Sequence, residues 1–166
     1  MSKSAYNILF ICTGNSARSI LAEGIMNGLA GERCRAYSAG SQPKREVHPM
    51  ALATLQALSL PAEGYRSKSW DEFARSDAPA LDFIFTVCDN AAGETCPVWP
   101  GRPMSAHWGV PDPAAHKGTE EQRLKAFHDT ARVLKRRIEL FLSLPIERLD
   151  AMSLHSELRG IGRTQE

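Results

Sequence analysis

The sequence predicts an α/β fold in which four parallel strands alternate with helices in a doubly wound arrangement. Two observations predict this class. Short continuous apolar runs recur, as is typical of strands covered on both faces of a parallel sheet. Between these runs, apolar residues recur at helical spacing and stop at turn residues.

The elements follow one another in order along the chain. Residues 7–11 form the first apolar run and lead into a short polar loop. The first helix comes next, because Leu21, Ile25 and Leu29 recur every four residues until Gly31. The remaining predicted elements are a strand at 35–38, a helix marked by Leu52, Leu55 and Leu58, strands at 81–87 and 104–108, a long helix containing Leu124, Phe127, Leu134, Ile138 and Phe141, and a short helix around 149–158.

Length and composition indicate a single domain over residues 1–166, with a core of about 5–145 and a C-terminal helix and tail at 146–166. The net charge of +1 gives no global field that would attract nucleic acid or an anionic membrane. Residues 1–6 carry no apolar targeting stretch, so we expect a cytoplasmic protein. We also expect either a monomer or a weak dimer. In that compartment the four cysteines serve chemistry or packing rather than disulfides.

The segment after the first strand, residues 12–19, has the composition of an oxyanion-binding loop. A short loop at a helix start offers backbone N–H groups and the positive end of the helix dipole. Arg18 adds a planar guanidinium that can hold two oxygens at once. The same field favours the thiolate of Cys12, which makes Cys12 the candidate nucleophile. The candidate oxyanion-binding residues are Thr13, Gly14, Asn15, Ser16, Ala17, Arg18 and Ser19.

Together with the Asp112–Pro113 pair, this loop resembles the low-molecular-weight protein tyrosine phosphatase superfamily, and the resemblance runs from about Asn7 to Leu144. It implies a flavodoxin-like four-stranded parallel sheet with the loop at the topological switch point. It also implies that Asp112 is a general acid that protonates the leaving oxygen. An Asp–Pro pair is equally suited to cap a helix, and the two roles are compatible.

The superfamily contains phosphotyrosine hydrolases and arsenate reductases, and the loop cannot separate them because phosphate and arsenate are near isosteres. In the phosphatases a tyrosine usually follows the Asp–Pro pair and helps to form an aromatic slot, whereas Ala114 and Ala115 follow it here. The segment from Cys88 to Cys96 resembles the redox segment of the phosphatase-like arsenate reductases. The sequence therefore favours arsenate reduction, with phosphotyrosine hydrolysis as the alternative.

The likeness implies a thiol relay. Cys12 attacks arsenic while Asp112 protonates a departing oxygen, and Cys88 then attacks Cys12 so that arsenite leaves. Cys96 next attacks Cys88 and carries the disulfide to a connection, residues 89–103, that is rich in glycine and proline. We expect no tightly bound cofactor.

An external thiol must then reduce the relay. Seven residues separate Cys88 from Cys96, one more than in the thioredoxin-linked reductases that the segment resembles. Thioredoxin, glutathione with glutaredoxin, and mycothiol therefore all stay open as donors.

Other features have simpler interpretations. A metal centre or sensor built from Cys88, Cys96 and His107 fits no short zinc-binding spacing, so no metal is expected. Cys34 is interpreted as a packed thiol, and Glu23 as a partner of Asn15 in a buried polar network. Arg132, Lys135, Arg136 and Arg137 are expected on the solvent face of the long helix.

Overall fold

The computed structural model describes residues 5–88 and 103–164. Cys96 and most of the glycine- and proline-rich connection therefore lie outside the described residues. The strands are β1 (Tyr6–Cys12), β2 (Cys34–Gly40), β3 (Phe83–Thr86) and β4 (Met104–His107). The described helices are α1 (Arg18–Ala30), α2 (Pro49–Ala57), α3 (Glu120–Ser143) and α4 (Ala151–Ile161), with short 3-10 turns at Trp70–Phe73, Pro113–Ala115 and Ile146–Arg148.

The four strands form one parallel sheet in the order β2-β1-β3-β4. Pairing places Cys12 opposite Gly40 on one side of β1 and Ile11 opposite Thr86 on the other. The chain first moves from β1 to β2 and then returns past β1 to β3, so the strand order reverses beside β1. The predicted flavodoxin-like sheet is confirmed, and its switch point lies where β1 delivers Cys12.

The central strand β1 forms because nearly every one of its side chains is apolar. All side chains from Ile8 to Ile11 are fully buried, although side chains alternate between the two faces of a strand, so both faces are covered. On α1, Leu29 is 38% exposed, whereas Ile20, Ala22 and Met26 are fully buried. Burial of α1 is thus wider than the predicted four-residue stripe, because this helix packs against β2, α2 and α3.

The long helix α3 begins at a capping box in which Thr119 accepts from the N–H of Gln122 and the Gln122 side chain accepts from the N–H of Thr119. Its predicted apolar face is buried at Phe127, Leu134, Ile138 and Phe141. The prediction for Arg137 is wrong, because this side chain is 1% exposed and not on the solvent face. The physical reason is that backbone carbonyls of other segments surround its guanidinium.

The C-terminal helix α4 packs against β4 and α3. Trp108, which directly follows β4, is fully buried and stacks on Phe85 with ring centroids 3.7 Å apart. Its indole N–H donates to the carbonyl of Leu158 on α4 at 3.0 Å. Within residues 5–88 and 103–164, no helix combines the length and apolar character needed to cross a membrane.

Candidate active site

The chain segment that follows β2 fixes the conformation of the loop that joins β1 to α1. Three loop carbonyls accept hydrogen bonds from backbone N–H groups of that segment, each 2.9 Å long. These bonds run from Gln42 to Thr13, from Lys44 to Gly14 and from His48 to Ser16. In a trans peptide the C=O and the next N–H point in opposite directions, so the N–H groups of Gly14, Asn15 and Ala17 point away from this segment. The loop therefore turns a set of donors toward its concave side, as an oxyanion site requires.

Asn15 sets the shape of the loop. It is fully buried and has a left-handed backbone (φ 45°), a conformation that asparagine tolerates better than most residues. Its side-chain oxygen accepts from the N–H of Lys68 at 2.9 Å, and its amide N–H donates to the hydroxyl of Ser19 at 2.8 Å.

Ser19 is the hydrogen-bond donor closest to the candidate nucleophile. Its hydroxyl oxygen lies 3.0 Å from Cys12 Sγ, and both side chains are buried. The oxygen also accepts from the amide of Asn15, and its own proton can be donated to the sulfur. Ser19 and Cys12 therefore form a buried hydrogen-bonded pair.

Gly40, at the end of β2, lets the loop approach the sheet. A Cβ on this residue would lie 2.4 Å from the carbonyl oxygen of Thr13 and 3.0 Å from the backbone nitrogen of Asn15. Such a contact would displace the loop backbone itself. Glycine is therefore required here by close approach rather than by an unusual backbone angle.

Arg18, the first residue of α1, holds the opposite wall of the site. One Nη donates to the carbonyl of Val110 at 3.0 Å, and the other lies 3.7 Å from a carboxylate oxygen of Asp112. A guanidinium has five N–H donors, so others remain for an oxyanion. Asp112 also caps the short Pro113–Ala115 turn by accepting from the N–H of Ala114 at 2.9 Å, which confirms the predicted capping role.

These parts enclose a cavity of about 390 Å³. Its lining comes from the loop, from the segment after β2 and from the Asp112 turn, namely Cys12, Thr13, Gly14, Ser16, Ala17, Arg18, Gln42, Lys44, Asp112 and Ala114. No motif in the sequence points to Gln42 or Lys44. The one signal available is topological, since β2 pairs with β1 and the residues after both strands meet at the same sheet edge. Ala114 lines the cavity beside Asp112, the place where the aromatic slot was predicted to be absent.

Cys88 lies directly after Val87, at the carboxyl end of β3, and is 2% exposed. The backbone N–H of Thr13 donates to its sulfur at 3.2 Å, and the Thr13 hydroxyl lies 3.5 Å from the same atom. Since Thr13 is the residue after Cys12, the structure brings Cys88 to the start of the oxyanion loop. Of the three predicted relay thiols, Cys88 thus lies against the residue that follows Cys12, and Cys96 lies outside the described residues.

A buried charged pair lies behind the loop. Glu23 accepts from the hydroxyl of Ser38 at 2.5 Å, and Lys68 donates its backbone N–H to Asn15. Burial raises the pKa of Glu23 and lowers the pKa of Lys68, while the attraction between the two charges opposes both shifts. Glu23 therefore bonds to Ser38, and Asn15 bonds to the backbone of Lys68, which the sequence did not single out; a hydrogen-bond network that joins Glu23 to Asn15 stays a prediction.

Cys34 is separate from these thiols. It is the first residue of β2, is 4% exposed, and burial raises its pKa to about 11. A thiol of this kind stays protonated at neutral pH, in agreement with the packing role predicted from the sequence. In the part of the chain that the structure describes, no group of three or more His, Cys, Asp or Glu side chains is arranged to hold a metal ion.

Comparison with known proteins gives the same fold. Residues 7–153 match the low molecular weight phosphotyrosine protein phosphatase family. The arsenate reductase of Oceanobacillus iheyensis is 34% identical over 134 residues, which cover 81% of this chain and 93% of the relative.

Two solved structures are similar along most of this chain. One, an arsenate reductase in the phosphate-binding state, has 26% identity and a TM-score of 0.67, with coverage of 83% of this chain and 97% of its own. The other, the thioredoxin-dependent arsenate reductase of Corynebacterium glutamicum, has 25% identity and a TM-score of 0.57. The match covers 85% of this chain and 65% of the Corynebacterium glutamicum chain. The chain therefore belongs to the low molecular weight phosphotyrosine protein phosphatase family, and within that family it is similar to bacterial arsenate reductases.

Proposed function

We propose that this protein is an arsenate reductase that converts arsenate to arsenite and so detoxifies arsenic. The observation that carries the proposal is the position of Cys88, whose sulfur accepts from the N–H of Thr13 beside the nucleophile Cys12. A hydrolase needs only the Cys12 thiol. A reductase that uses its own thiols needs a second one beside the first, because the reduction of arsenate consumes two electrons.

In the first step the Cys12 thiolate attacks arsenic and forms a sulfur–arsenic bond. Backbone N–H groups of residues 13–19 and the guanidinium of Arg18 hold the remaining oxygens. The departing oxygen leaves as water after it takes a proton from Asp112, whose carboxyl lies in the same cavity. The product is a covalent As(V) adduct on Cys12.

In the second step the Cys88 thiolate attacks the sulfur of Cys12. The electron pair of the sulfur–arsenic bond passes to arsenic, which leaves as arsenite, and a Cys12–Cys88 disulfide forms. The N–H of Thr13 donates to the Cys88 sulfur and so holds this sulfur beside the residue that follows Cys12. Two thiols have then lost the two electrons that arsenic has gained.

In the third step Cys96 attacks the sulfur of Cys88 and replaces Cys12 as its disulfide partner. An external dithiol then reduces the Cys88–Cys96 bond and restores the enzyme. We propose thioredoxin as that reductant and the cytoplasm as the compartment, because the cycle depends on a reducing thiol pool. The thioredoxin-dependent relative from Corynebacterium glutamicum supports this choice. Glutathione with glutaredoxin and mycothiol are the donors against which it is tested.

The test is a single turnover of the fully reduced protein with arsenate, followed by arsenite quantification and disulfide mapping by mass spectrometry. We expect arsenite in step with a Cys12–Cys88 or Cys88–Cys96 bond. Cys88→Ser should abolish both, whereas Cys34→Ser, a matched change of a buried thiol outside the site, should retain both. Efficient hydrolysis of a phosphotyrosine peptide that Cys88→Ser leaves unchanged, without arsenite formation, would favour the phosphatase alternative.

A further inference from the structure

Two arginines donate hydrogen bonds to three consecutive backbone carbonyls in the segment that leads to Asp112. Arg137 Nη1 donates to the carbonyls of Trp108 at 2.6 Å and of Gly109 at 3.1 Å. Arg18 donates to the next carbonyl, that of Val110, from inside the cavity. One arginine therefore belongs to the site, and the other approaches the same segment from α3.

Arg137 has an unusual environment for an arginine. It is 1% exposed, and among the described residues no carboxylate oxygen lies within 4.0 Å of its guanidinium. Its charge is compensated instead by three backbone carbonyls, those of Trp108, Gly109 and, through Nε at 2.9 Å, Thr164. The side chain thus joins the segment before Asp112 to the residues after α4.

The C-terminal residues 158–164 make two further contacts with the same segment. The carbonyl of Leu158 accepts from the indole N–H of Trp108 at 3.0 Å. Gly162 lies so close that a Cβ on it would be 2.3 Å from the carbonyl oxygen of His107. The family match ends at residue 153, so these contacts come from a part of the chain that the family match does not cover.

Few torsions separate the clamped carbonyls from the acid. Only Val110 and Pro111 lie between Gly109 and Asp112, and Pro113 follows. Each proline fixes its own φ, and the N–H of Val110 donates to the carbonyl of Val87 at 3.1 Å. A displacement at residues 107–109 is therefore passed on to the Asp112 carboxyl with little local relaxation.

We propose that Arg137 and residues 158–164 form a clamp that positions Asp112 for proton transfer. This inference rests on the proposed role of Asp112 as the acid, but it does not depend on arsenate being the substrate. Arg137 is a positioning residue, since it touches the backbone before Asp112 and not the cavity.

The first test compares Arg137→Met with Arg136→Met, its exposed neighbour on α3. We expect Arg137→Met to slow the single-turnover reaction with arsenate about tenfold, because small misplacements of a catalytic group cost this much or more. Phosphate affinity, measured by titration calorimetry, should change less than about twofold, because the oxyanion loop keeps its own contacts. Arg137→Lys should restore part of the rate, and Arg136→Met should leave rate and affinity unchanged.

A double-mutant cycle separates positioning from general structural damage. In an Asp112→Asn background, Arg137→Met should have no further effect on the rate, because the group it positions is already gone. An equal loss of rate in both backgrounds would overturn the proposal. So would a parallel loss of phosphate affinity.

A glycine pair keeps the proposal testable if Arg137→Met does not fold. Gly162→Ala pushes a methyl group against the carbonyl of His107, whereas Gly160→Ala, two residues earlier, meets open space. Gly162→Ala should slow the acid-dependent step, and Gly160→Ala should not. Equal rates in the two variants would contradict the clamp.

Failure of the clamp is distinguishable from failure of the reductase proposal. If the wild-type protein forms neither arsenite nor a Cys12–Cys88 or Cys88–Cys96 disulfide with arsenate, arsenate reduction is wrong. The same variants are then compared in the hydrolysis of an aryl phosphate with a poor leaving group, which also needs a proton donor. An Asp112→Asn variant as fast as wild type in both reactions would overturn the clamp together with the acid.

Discussion

At the scale of single residues, the reactivity of Cys12 depends on a short hydrogen-bonded chain. Lys68 orients the amide of Asn15, that amide donates to the hydroxyl of Ser19, and the hydroxyl is left to donate to the sulfur. The side chains of Asn15, Ser19 and Cys12 are all buried. Removal of any one of these groups leaves its neighbour without a hydrogen-bond partner.

Ser19→Ala should therefore reduce the reactivity of Cys12. Loss of a hydrogen bond of about 1.5–3 kcal/mol should slow the alkylation of Cys12 about tenfold or more. The measurement is the rate of iodoacetamide alkylation at Cys12, followed by peptide mass spectrometry. Ser143→Ala, at the exposed end of α3, is the control, and an unchanged rate in Ser19→Ala would show that the hydroxyl does not donate to the sulfur.

At the scale of elements, α2 connects the oxyanion loop to α3 through its cap. His48 precedes α2 and its Nδ1 accepts from the N–H of Met50 at 3.1 Å, while its own backbone N–H donates to Ser16 of the loop. Its ring packs on Phe127 of α3 with centroids 4.8 Å apart. Burial lowers the pKa of His48 from its ordinary value of 6.5, and the charges of Arg123 and Lys44 lower it further, while Asp112 acts in the opposite direction.

This cap should make stability depend on pH. Between the lowered folded-state pKa and 6.5, the unfolded chain binds a proton at His48 that the folded chain does not bind. The contribution of the neutral His48 to the free energy of unfolding is therefore complete above about pH 6.5 and is lost as the pH falls through this window. Urea unfolding of the wild-type protein across this pH range should show the decline in the free energy of unfolding.

His48→Asn should remove that part of the decline, because asparagine caps a helix without titrating. His116→Asn, an exposed control, should retain it. His48→Ala should lose about 1 kcal/mol above about pH 6.5, since it removes the cap itself, and less as the pH falls through the window. Identical pH profiles for wild type and His48→Asn would contradict the role of His48 in the cap.

At the scale of the whole molecule, the cavity is assembled from segments that are far apart in sequence. The β1–α1 loop, the segment after β2 and the Asp112 turn each supply part of the lining. None of these parts alone encloses an oxyanion. Binding at such a site is possible only in the folded state, so a bound oxyanion stabilises the entire fold by linkage.

Phosphate at about one hundred times its dissociation constant should raise the free energy of unfolding by about 2.7 kcal/mol. Arg18→Met, which removes the guanidinium from the cavity, should show little of this increment at the same concentration, whatever its own stability. The measurement is urea unfolding with and without phosphate, with chloride at equal ionic strength as the control. An equal increment in both proteins would mean that phosphate stabilises them outside the cavity.

The sequence alone was sufficient for the architecture and for most of the site. Apolar runs identified the two inner strands, β1 and β3, because a strand buried on both faces accepts no charged residue. The loop around Cys12 was identified because an oxyanion site needs local donors, and one short segment supplies them. Cys88 was found because the end of a buried strand is readable from its apolar run.

The tertiary structure decided what depends on neighbours distant in sequence. Arg137 has the sequence context of a solvent-facing helix residue, and only the packing of residues 108–109 and 164 around it shows that it is buried. Gln42, Lys44 and Lys68 likewise join the site through strand pairing and not through any motif. Local pattern therefore identified the main strands, the helices and the candidate nucleophile. The partners of each polar group were determined only by the folded chain, because hydrogen bonds form between groups that the fold brings together.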